Sequence, residues 1–167
     1  MPDRSTEQFD PFIIAERGRS YKGTIPLSQL DRLSDSLIED QGDVRYELLF
    51  TKDDKICTVT GQVAAELFLE CSVCMNKMIY LVRAKTGLGI VSSLEEAARL
   101  PGIYEPLLVI NRQTRIKEII EEELLLAIPI IPRHEECTIA KQIDQRPKQK
   151  AMNPFSILAD LKLPGDQ

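Results

Sequence analysis

Two stretches of the chain alternate apolar and polar residues with a period of two, which is the pattern of a β-strand with one buried face. The apolar side of the first stretch carries Val44, Tyr46, Leu48 and Phe50. After the turn-forming segment 52–55 (KDDK), the apolar side of the second stretch carries Cys57, Val59, Gly61, Val63, Ala65, Leu67 and Leu69. Because a short turn joins the two stretches, they are predicted to form a hairpin. On this pattern Cys57 is a buried core thiol and not a metal ligand.

Segment 71–77 (CSVCMNK) follows this hairpin and contains a Cys-x2-Cys pair in a turn-like context. Residues 78–82 continue the strand pattern, and residues 86–91 add a further stretch interrupted by two glycines. Sequential strands joined by short turns, with helices only occasionally between them, are typical of an α+β domain. The sequence therefore predicts a mainly antiparallel sheet with the cysteine pair as a knuckle between two strands.

One long amphipathic helix is predicted to begin near Thr114 and to end before Pro129 and Pro132. Its apolar stripe consists of Ile116, Ile119, Ile120, Leu124 and Ala127. The acids Glu118, Glu121 and Glu122 are expected to face water. No histidine or nucleophile accompanies these acids, so a solvated helix face is favoured over a catalytic one.

Three shorter elements complete the expected domain. Residues 12–15 (FIIA) are interpreted as a short strand, and residues 27–37 as a short amphipathic helix entered through Pro26. Ser93 is expected to cap a further short helix that Pro101 and Gly102 terminate. These assignments place one α+β domain over residues 1–140.

The sequence becomes polar and basic after residue 140. Segment 141–150 (KQIDQRPKQK) carries four basic residues against one acid, which favours a solvated linker but would also allow contact with phosphate. A short C-terminal helix is predicted to follow, with Asn153 as its N-cap, Pro154 at its first position and Phe155 in its apolar stripe. Residues 141–167 are therefore expected to form a basic linker and a helix that docks on its own domain or on a partner. The candidates for contact with RNA or a partner are Lys141, Arg146, Lys148, Lys150, Asn153, Pro154 and Phe155.

Composition narrows the class of protein. The chain of 167 residues is 43% hydrophobic and 28% charged, as in soluble globular domains. Its net charge of −5 argues against general coating of nucleic acid by the whole surface. No apolar run reaches the roughly 18 residues that a membrane span requires, and the N-terminus carries no signal-peptide pattern. A cytoplasmic protein with reduced thiols and no membrane contact is expected.

Two short clusters hold three of the four cysteines and the single histidine: Cys71 and Cys74, then His134 and Cys137. Two close pairs of soft donors separated by a long insert are typical of a tetrahedral zinc site. Two alternatives stay open at this point. His134 and Cys137 could belong to an ordinary polar loop, and the Cys-x2-Cys pair could be a redox dithiol, although a redox pair would favour the N-terminus of a helix.

Four motifs also occur in a characteristic order. They are the cysteine pair after a strand, segment 100–106 (LPGIYEP), segment 121–134 (EEELLLAIPIIPRH), and Asn153, Pro154 and Phe155 followed by Leu158 and Leu161. This order resembles the YceD family, the large ribosomal RNA subunit accumulation proteins, over about the C-terminal two thirds of the chain. Many members carry a second cysteine pair where this chain has His134 and Cys137. With His134 in place of one of those cysteines, the chain still offers four donors to a metal ion.

The resemblance implies a non-enzymatic cytoplasmic factor for the synthesis, processing or stability of large-subunit rRNA, with a bound metal. Its expected partner is large-subunit rRNA or a ribosomal or assembly protein, and no small-molecule substrate is expected. Two other functions remain as alternatives. An acidic adaptor could bind a basic ribosomal protein, and a metal-dependent nuclease could act on precursor rRNA, but a nuclease would need an open metal coordination position.

Overall fold

The computed structural model describes residues 7–53 and 55–137. Its strands are β1 (Ser20–Pro26), β2 (Asp43–Asp53), β3 (Ile56–Glu70), β4 (Lys77–Val91) and β5 (Glu105–Leu108). Its helices are α1 (Pro11–Glu16), α2 (Asp31–Ser34), α3 (Leu94–Ala97) and α4 (Ile116–Ala127), with single 3-10 turns at Leu27–Gln29 and Ile110–Arg112. Residues 1–134 form one compact unit and residues 135–167 a second, of which only 135–137 are described.

The five strands form one sheet in the order β1-β2-β3-β4-β5. Strands β1 to β4 pair antiparallel, and β5 pairs with the end of β4 in parallel. The predicted hairpin is confirmed, because Tyr46 lies opposite Val63 and Phe50 lies opposite Val59. The fold is therefore α+β with a mainly antiparallel sheet, as predicted.

The core lies against one face of this sheet, here called the inner face. Burial along β2 alternates strictly, with Val44, Tyr46, Leu48 and Phe50 buried and the residues between them exposed. The buried residues that β3 adds to the inner face are Cys57, Val59, Val63, Ala65, Leu67 and Leu69. Alternation in sequence therefore decided which side of the sheet became the core.

The prediction of a strand at residues 12–15 is wrong, because this segment belongs to helix α1. Asp10 Oδ1 accepts hydrogen bonds from the backbone N–H groups of Phe12 at 2.9 Å and Ile13 at 3.4 Å. Pro11 occupies the first helical position, where its missing N–H costs nothing. The Asp-Pro pair was the signal for a helix start, and it outweighed the short apolar run.

The helix predicted over residues 27–37 is correct only in part. Strand β1 extends through Pro26, a 3-10 turn follows, and α2 covers only Asp31–Ser34. Leu27, Leu30 and Leu33 are nevertheless all fully buried, so the three-residue spacing did identify an apolar side. Helical pieces of three and four residues are too short to be stable by themselves. Packing of the buried leucines stabilises them.

Helix α4 has twelve residues, an ordinary length, so the prediction of a long helix is not confirmed. It begins at Ile116 with Arg115 as N-cap, while Thr114 lies one position earlier and pairs with Phe9. Its buried residues include Ile116, Ile119, Ile120 and Leu124, all members of the predicted stripe.

One acid of α4 does not face water, contrary to the prediction. Glu121 is only 5% exposed, and its Oε1 accepts hydrogen bonds from the N–H groups of Arg32 at 2.8 Å and Leu33 at 3.3 Å. These groups lie in the first turn of α2, whose N-cap residue Leu30 supplies no side-chain acceptor. Glu121 therefore caps α2 from a distant part of the chain and joins the two helices.

Three expectations lie outside the described residues: the domain boundary at residue 140, the linker 141–150 and the C-terminal helix. Over the ranges that are described, no helix is both long and apolar enough to cross a membrane.

Replacing Glu121 by alanine should lower the free energy of unfolding by about 2–3 kcal/mol, because two N–H groups of α2 lose a charged acceptor and one of them is buried. The matched control is Glu122→Ala, which removes an exposed ion pair between Glu122 and Arg32 and should cost less than about 1 kcal/mol. Urea denaturation of both variants measures the difference. Equal losses would contradict the capping role.

Replacing Gly61 by alanine should also destabilise the sheet, because a Cβ there would collide with the backbone carbonyl of Glu47 on the neighbouring strand. A cost of about 1–3 kcal/mol is expected from such overpacking. Gly87 is the control, since the nearest atom to its added Cβ would be the Ile103 carbonyl oxygen at 3.9 Å. Thermal unfolding should show Gly87→Ala unchanged or slightly more stable, and a destabilised Gly87→Ala with an unchanged Gly61→Ala would refute the argument.

Candidate metal centre

The knuckle that carries Cys71 and Cys74 connects the ends of β3 and β4, where Glu70 lies opposite Lys77. The Met75 N–H donates to the Cys71 carbonyl at 2.9 Å, and the Cys71 N–H donates to the Asn76 carbonyl at 3.0 Å. Met75 has a φ of +58°, a left-handed conformation that is uncommon for a side chain of this size. These bonds close a tight turn that turns both thiols to the same side of the connection.

The segment after α4 is attached to this knuckle. Ile128 leaves helical geometry with ψ of 127°, as expected for a residue before proline. Farther along, the Pro132 carbonyl accepts a hydrogen bond of 2.8 Å from the Ser72 N–H, which lies inside the knuckle. The chain is thereby brought to the cysteine pair two residues before His134.

His134 is oriented by hydrogen bonds on both ring nitrogens. Its Nε2 lies 3.3 Å from the Lys77 carbonyl oxygen, and its Nδ1 lies 3.5 Å from Cys74 Sγ. Because a carbonyl oxygen can only accept, Nε2 must carry the proton in this bond. A neutral imidazole then presents the lone pair of Nδ1 toward the sulfur cluster, which is how a metal-ligating histidine is commonly held.

The ligand atoms of Cys71, Cys74, His134 and Cys137 all lie within 4.8 Å of one another. Tetrahedral bonds of about 2.0–2.3 Å to one ion would place donors about 3.3–3.8 Å apart, so a small contraction of the cluster would complete such a site. Cys71 is fully buried and Cys137 is 6% exposed. Three sulfurs and one imidazole nitrogen are a donor set that suits a soft divalent metal ion. The residues predicted as metal ligands are thus brought together.

The electrostatics around Cys71 favour a thiolate. The backbone N–H of Cys74 is the main cause that lowers the pKa of the Cys71 thiol to about 6, and the N–H groups of Val73 and His134 act in the same direction. Burial raises this pKa, but its effect is smaller than that of the Cys74 N–H. Several N–H donors around one sulfur stabilise the negative charge that metal coordination requires.

Cys57 has a different environment, as predicted. It lies on the inner face near the start of β3, is 7% exposed and does not belong to the cluster. Burial raises the pKa of the Cys57 thiol, which makes it a poor nucleophile and a poor ligand. The redox interpretation of Cys71 and Cys74 gains no support from their position, because strand β4 and not a helix follows the pair.

The sequence alone did not indicate the supporting contacts of the site. The Lys77 carbonyl, the Ser72 N–H and the Pro132 carbonyl are backbone groups, and no residue type signals their roles. The two prolines at 129 and 132 were the one available signal, since they fix the direction in which the chain leaves α4. The candidates for RNA or partner contact in 141–155 lie outside the described residues.

Comparison with known proteins places this arrangement in a family. The family model for the large ribosomal RNA subunit accumulation protein YceD matches residues 59–162 of the chain. The chain belongs to the YceD family. Its similarity to the large ribosomal RNA subunit accumulation protein YceD of Haemophilus influenzae is 32% identity over 163 residues, covering 92% of this chain and 93% of that protein. No solved structure matches the chain.

The matched residues include the candidate metal centre. The range matched by the YceD model contains all four donor residues and the whole of α4. The similarity to the Haemophilus influenzae YceD protein covers nearly the full length, so the N-terminal third belongs to the family resemblance as well. The range matched by the family model therefore contains the four donors together with β3 from residue 59 onward and all of β4 and β5.

Protein purified under reducing conditions should contain about one transition-metal ion per chain, measured by elemental analysis. Cys71→Ala should lose the ion, because the cluster then has only three donors and lacks a buried sulfur whose pKa the surrounding N–H groups lower. Cys57→Ala is the control, since it removes a thiol of the same chain that lies outside the cluster. Metal-free wild-type protein, or equal metal content in both variants, would exclude the site.

Proposed function

We propose that this protein is a non-enzymatic accessory factor of large ribosomal subunit biogenesis, acting in the cytoplasm on the synthesis, processing or stability of large-subunit rRNA. The observation that carries the proposal is membership of the YceD family, together with a relative whose name states large ribosomal RNA subunit accumulation. We infer the role in large-subunit rRNA accumulation for this chain from that family membership.

We further propose that the metal is zinc and that its role is structural. Cys71, Cys74, His134 and Cys137 supply four donors, which is the full coordination number of structural zinc sites. A tetrahedral ion with four protein ligands keeps no position for a reactive water. The ion would instead fix the segment after α4 to the β3–β4 knuckle, and this supports a scaffold that recruits other molecules.

The proposed partners are large-subunit rRNA or a ribosomal or assembly protein, and no small-molecule substrate is proposed. Two groups of residues are candidates for such contacts: the basic residues Lys141, Arg146, Lys148 and Lys150, and the motif Asn153, Pro154 and Phe155. Their composition supports the proposal, since a segment with four basic residues against one acid can approach phosphate although the net charge of the protein is −5.

Deletion of the gene should lower the amount of large-subunit rRNA relative to small-subunit rRNA, measured by quantitative sequencing of total RNA and by sedimentation of ribosomal subunits. Reintroduced wild-type protein and Cys57→Ala should both restore the ratio. Cys71→Ala should not restore it, because the segment after α4 would lose the ion that adds to its attachment to the knuckle.

An unchanged rRNA ratio in the deletion strain would refute the proposed function. A second measurement separates a scaffold from a nuclease. Purified protein with zinc should leave precursor large-subunit rRNA intact, whereas cleavage that the Cys71→Ala variant fails to perform would replace the scaffold by a metal-dependent enzyme.

A further inference from the structure

The face of the sheet opposite the core, here called the outer face, is open to solvent over its central part. Helices pack on the inner face, where the Tyr80 hydroxyl donates to the Ala127 carbonyl of α4 at 3.2 Å and Phe50 contacts Phe9 just before α1. On the outer face, Leu100 covers Gly89 near the end of β4. Among the residues that the structure describes, none covers the middle of the outer face from β1 to β4 in this way, and the side chains there are exposed or half-buried.

Two adjacent rows of this outer face are rich in cations. One row runs across four strands as Thr24, Arg45, Ala64 and Arg83, each paired with the next. The next row on the same face, two residues along each strand, is Lys22, Glu47, Gln62 and Lys85. These eight residues, here called the basic face, line a depression of about 660 Å³.

The basic face reverses the charge of the rest of the protein. It carries Lys22, Arg45, Arg83 and Lys85 against one acid, Glu47, a local excess of three positive charges on a chain whose net charge is −5. The excess is bounded on one side, because Asp43 and Glu66 lie two residues further along β2 and β3 on the same face. A localised positive surface on an acidic protein attracts polyanions to one place.

Most of these cations are not neutralised by neighbours. Lys22 lies 3.6 Å from a Glu47 carboxylate oxygen, and both side chains are largely exposed. Within the described ranges 7–53 and 55–137, Arg45, Arg83 and Lys85 have no carboxylate within ion-pair distance. Three charged side chains thus stand on a rigid sheet with nothing in the described chain to satisfy them.

The spacing of the cations fits a phosphate backbone. Arg45 and Arg83 are two strands apart, which is about 10 Å, and Arg83 and Lys85 are about 7 Å apart along β4. A nucleic acid strand presents one charge per about 3.4 Å of helix rise, so the three side chains can reach separate phosphates. Tyr46 also lines the depression, but it belongs to the inner face and is only 9% exposed. None of the eight residues of the basic face is aromatic, so this face offers no exposed platform for stacking unpaired bases.

We infer that the basic face binds the phosphate backbone of helical RNA. This inference deepens the proposed function and rests on it for the choice of large-subunit rRNA as the ligand. The chain's own basic segment 141–150 is a poor occupant, because it carries four basic residues against one acid and would be repelled. Recognition of helical RNA by phosphate contacts and shape, with little dependence on sequence, is the mode that such a surface supports.

The test measures binding of the full-length protein to a fluorescent hairpin from large-subunit rRNA, by anisotropy at several salt concentrations. The variant Arg45→Gln/Arg83→Gln/Lys85→Gln removes the three unpaired cations and leaves the metal ligands intact. Three lost phosphate contacts should reduce the slope of log affinity against log salt by about two to three and weaken binding on the order of 100-fold at about 0.1 M salt.

Two controls make the result specific. Arg17→Gln/Arg19→Gln/Lys55→Gln removes two arginines and one lysine that are exposed but lie outside the basic face, so the net charge changes equally. This variant should bind RNA within about twofold of wild type. Glu47→Gln removes the one acid of the basic face and should tighten binding, a change in the opposite direction. Metal content and circular dichroism establish that all variants are folded.

Loss of RNA binding in the first triple variant alone, with tighter binding by Glu47→Gln, would support the inference. Absence of RNA binding by wild-type protein would overturn it, as would equal losses in the two triple variants. It would also be overturned if the first triple variant bound RNA normally but lost an acidic protein partner. These outcomes leave the proposed function separately testable, since that depends on rRNA levels in the deletion strain.

Discussion

The attachment of the segment after α4 to the β3–β4 knuckle is the contact on which the organisation of this protein depends. Cys74 and His134 are sixty residues apart in sequence, yet the hydrogen bonds from Ser72 to Pro132 and from His134 to Lys77 hold their segments side by side. A chain of this length buries a substantial core without metal. A bound ion would therefore add a local clamp, joining one end of the sheet to the end of the helix.

The two faces of the sheet differ in composition, since the inner face is apolar and the outer face carries a group of cations. Its inner face supplies the apolar surface that α1 and α4 cover, and Glu121 links α2 to α4 through two backbone N–H groups. The described part of the chain leaves the middle of its outer face exposed, and strand pairing there aligns cations that are far apart in sequence. Rigid pairing matters here, since it positions long side chains without ordering a loop. The cluster of Cys71, Cys74, His134 and Cys137 lies at one end of this framework, away from the outer face.

Local patterns predicted the sheet well because alternation is a direct consequence of strand geometry. The hairpin of β2 and β3 followed from two apolar series joined by a short turn, and the burial of Cys57 followed from its position on the apolar side of its strand. Short helices were harder to predict. Residues 12–15 formed a helix because Asp10 and Pro11 supplied a cap. Residues 27–37 formed a 3-10 turn and the short helix α2, and packing of three buried leucines holds them in place. In such short segments one capping bond changes the outcome.

The sequence by itself determined the donor types, the alternating strands and the family, since cysteine and histidine pairs, parity and motif order are local properties. Only the tertiary structure decided that Glu121 is a buried cap, that His134 presents Nδ1 toward Cys74, and that Arg45, Arg83 and Lys85 share one surface. The physical reason is the same in each case. These relations depend on which distant segments pack together and in which register, and one residue of slip would turn the cations of the basic face into the core.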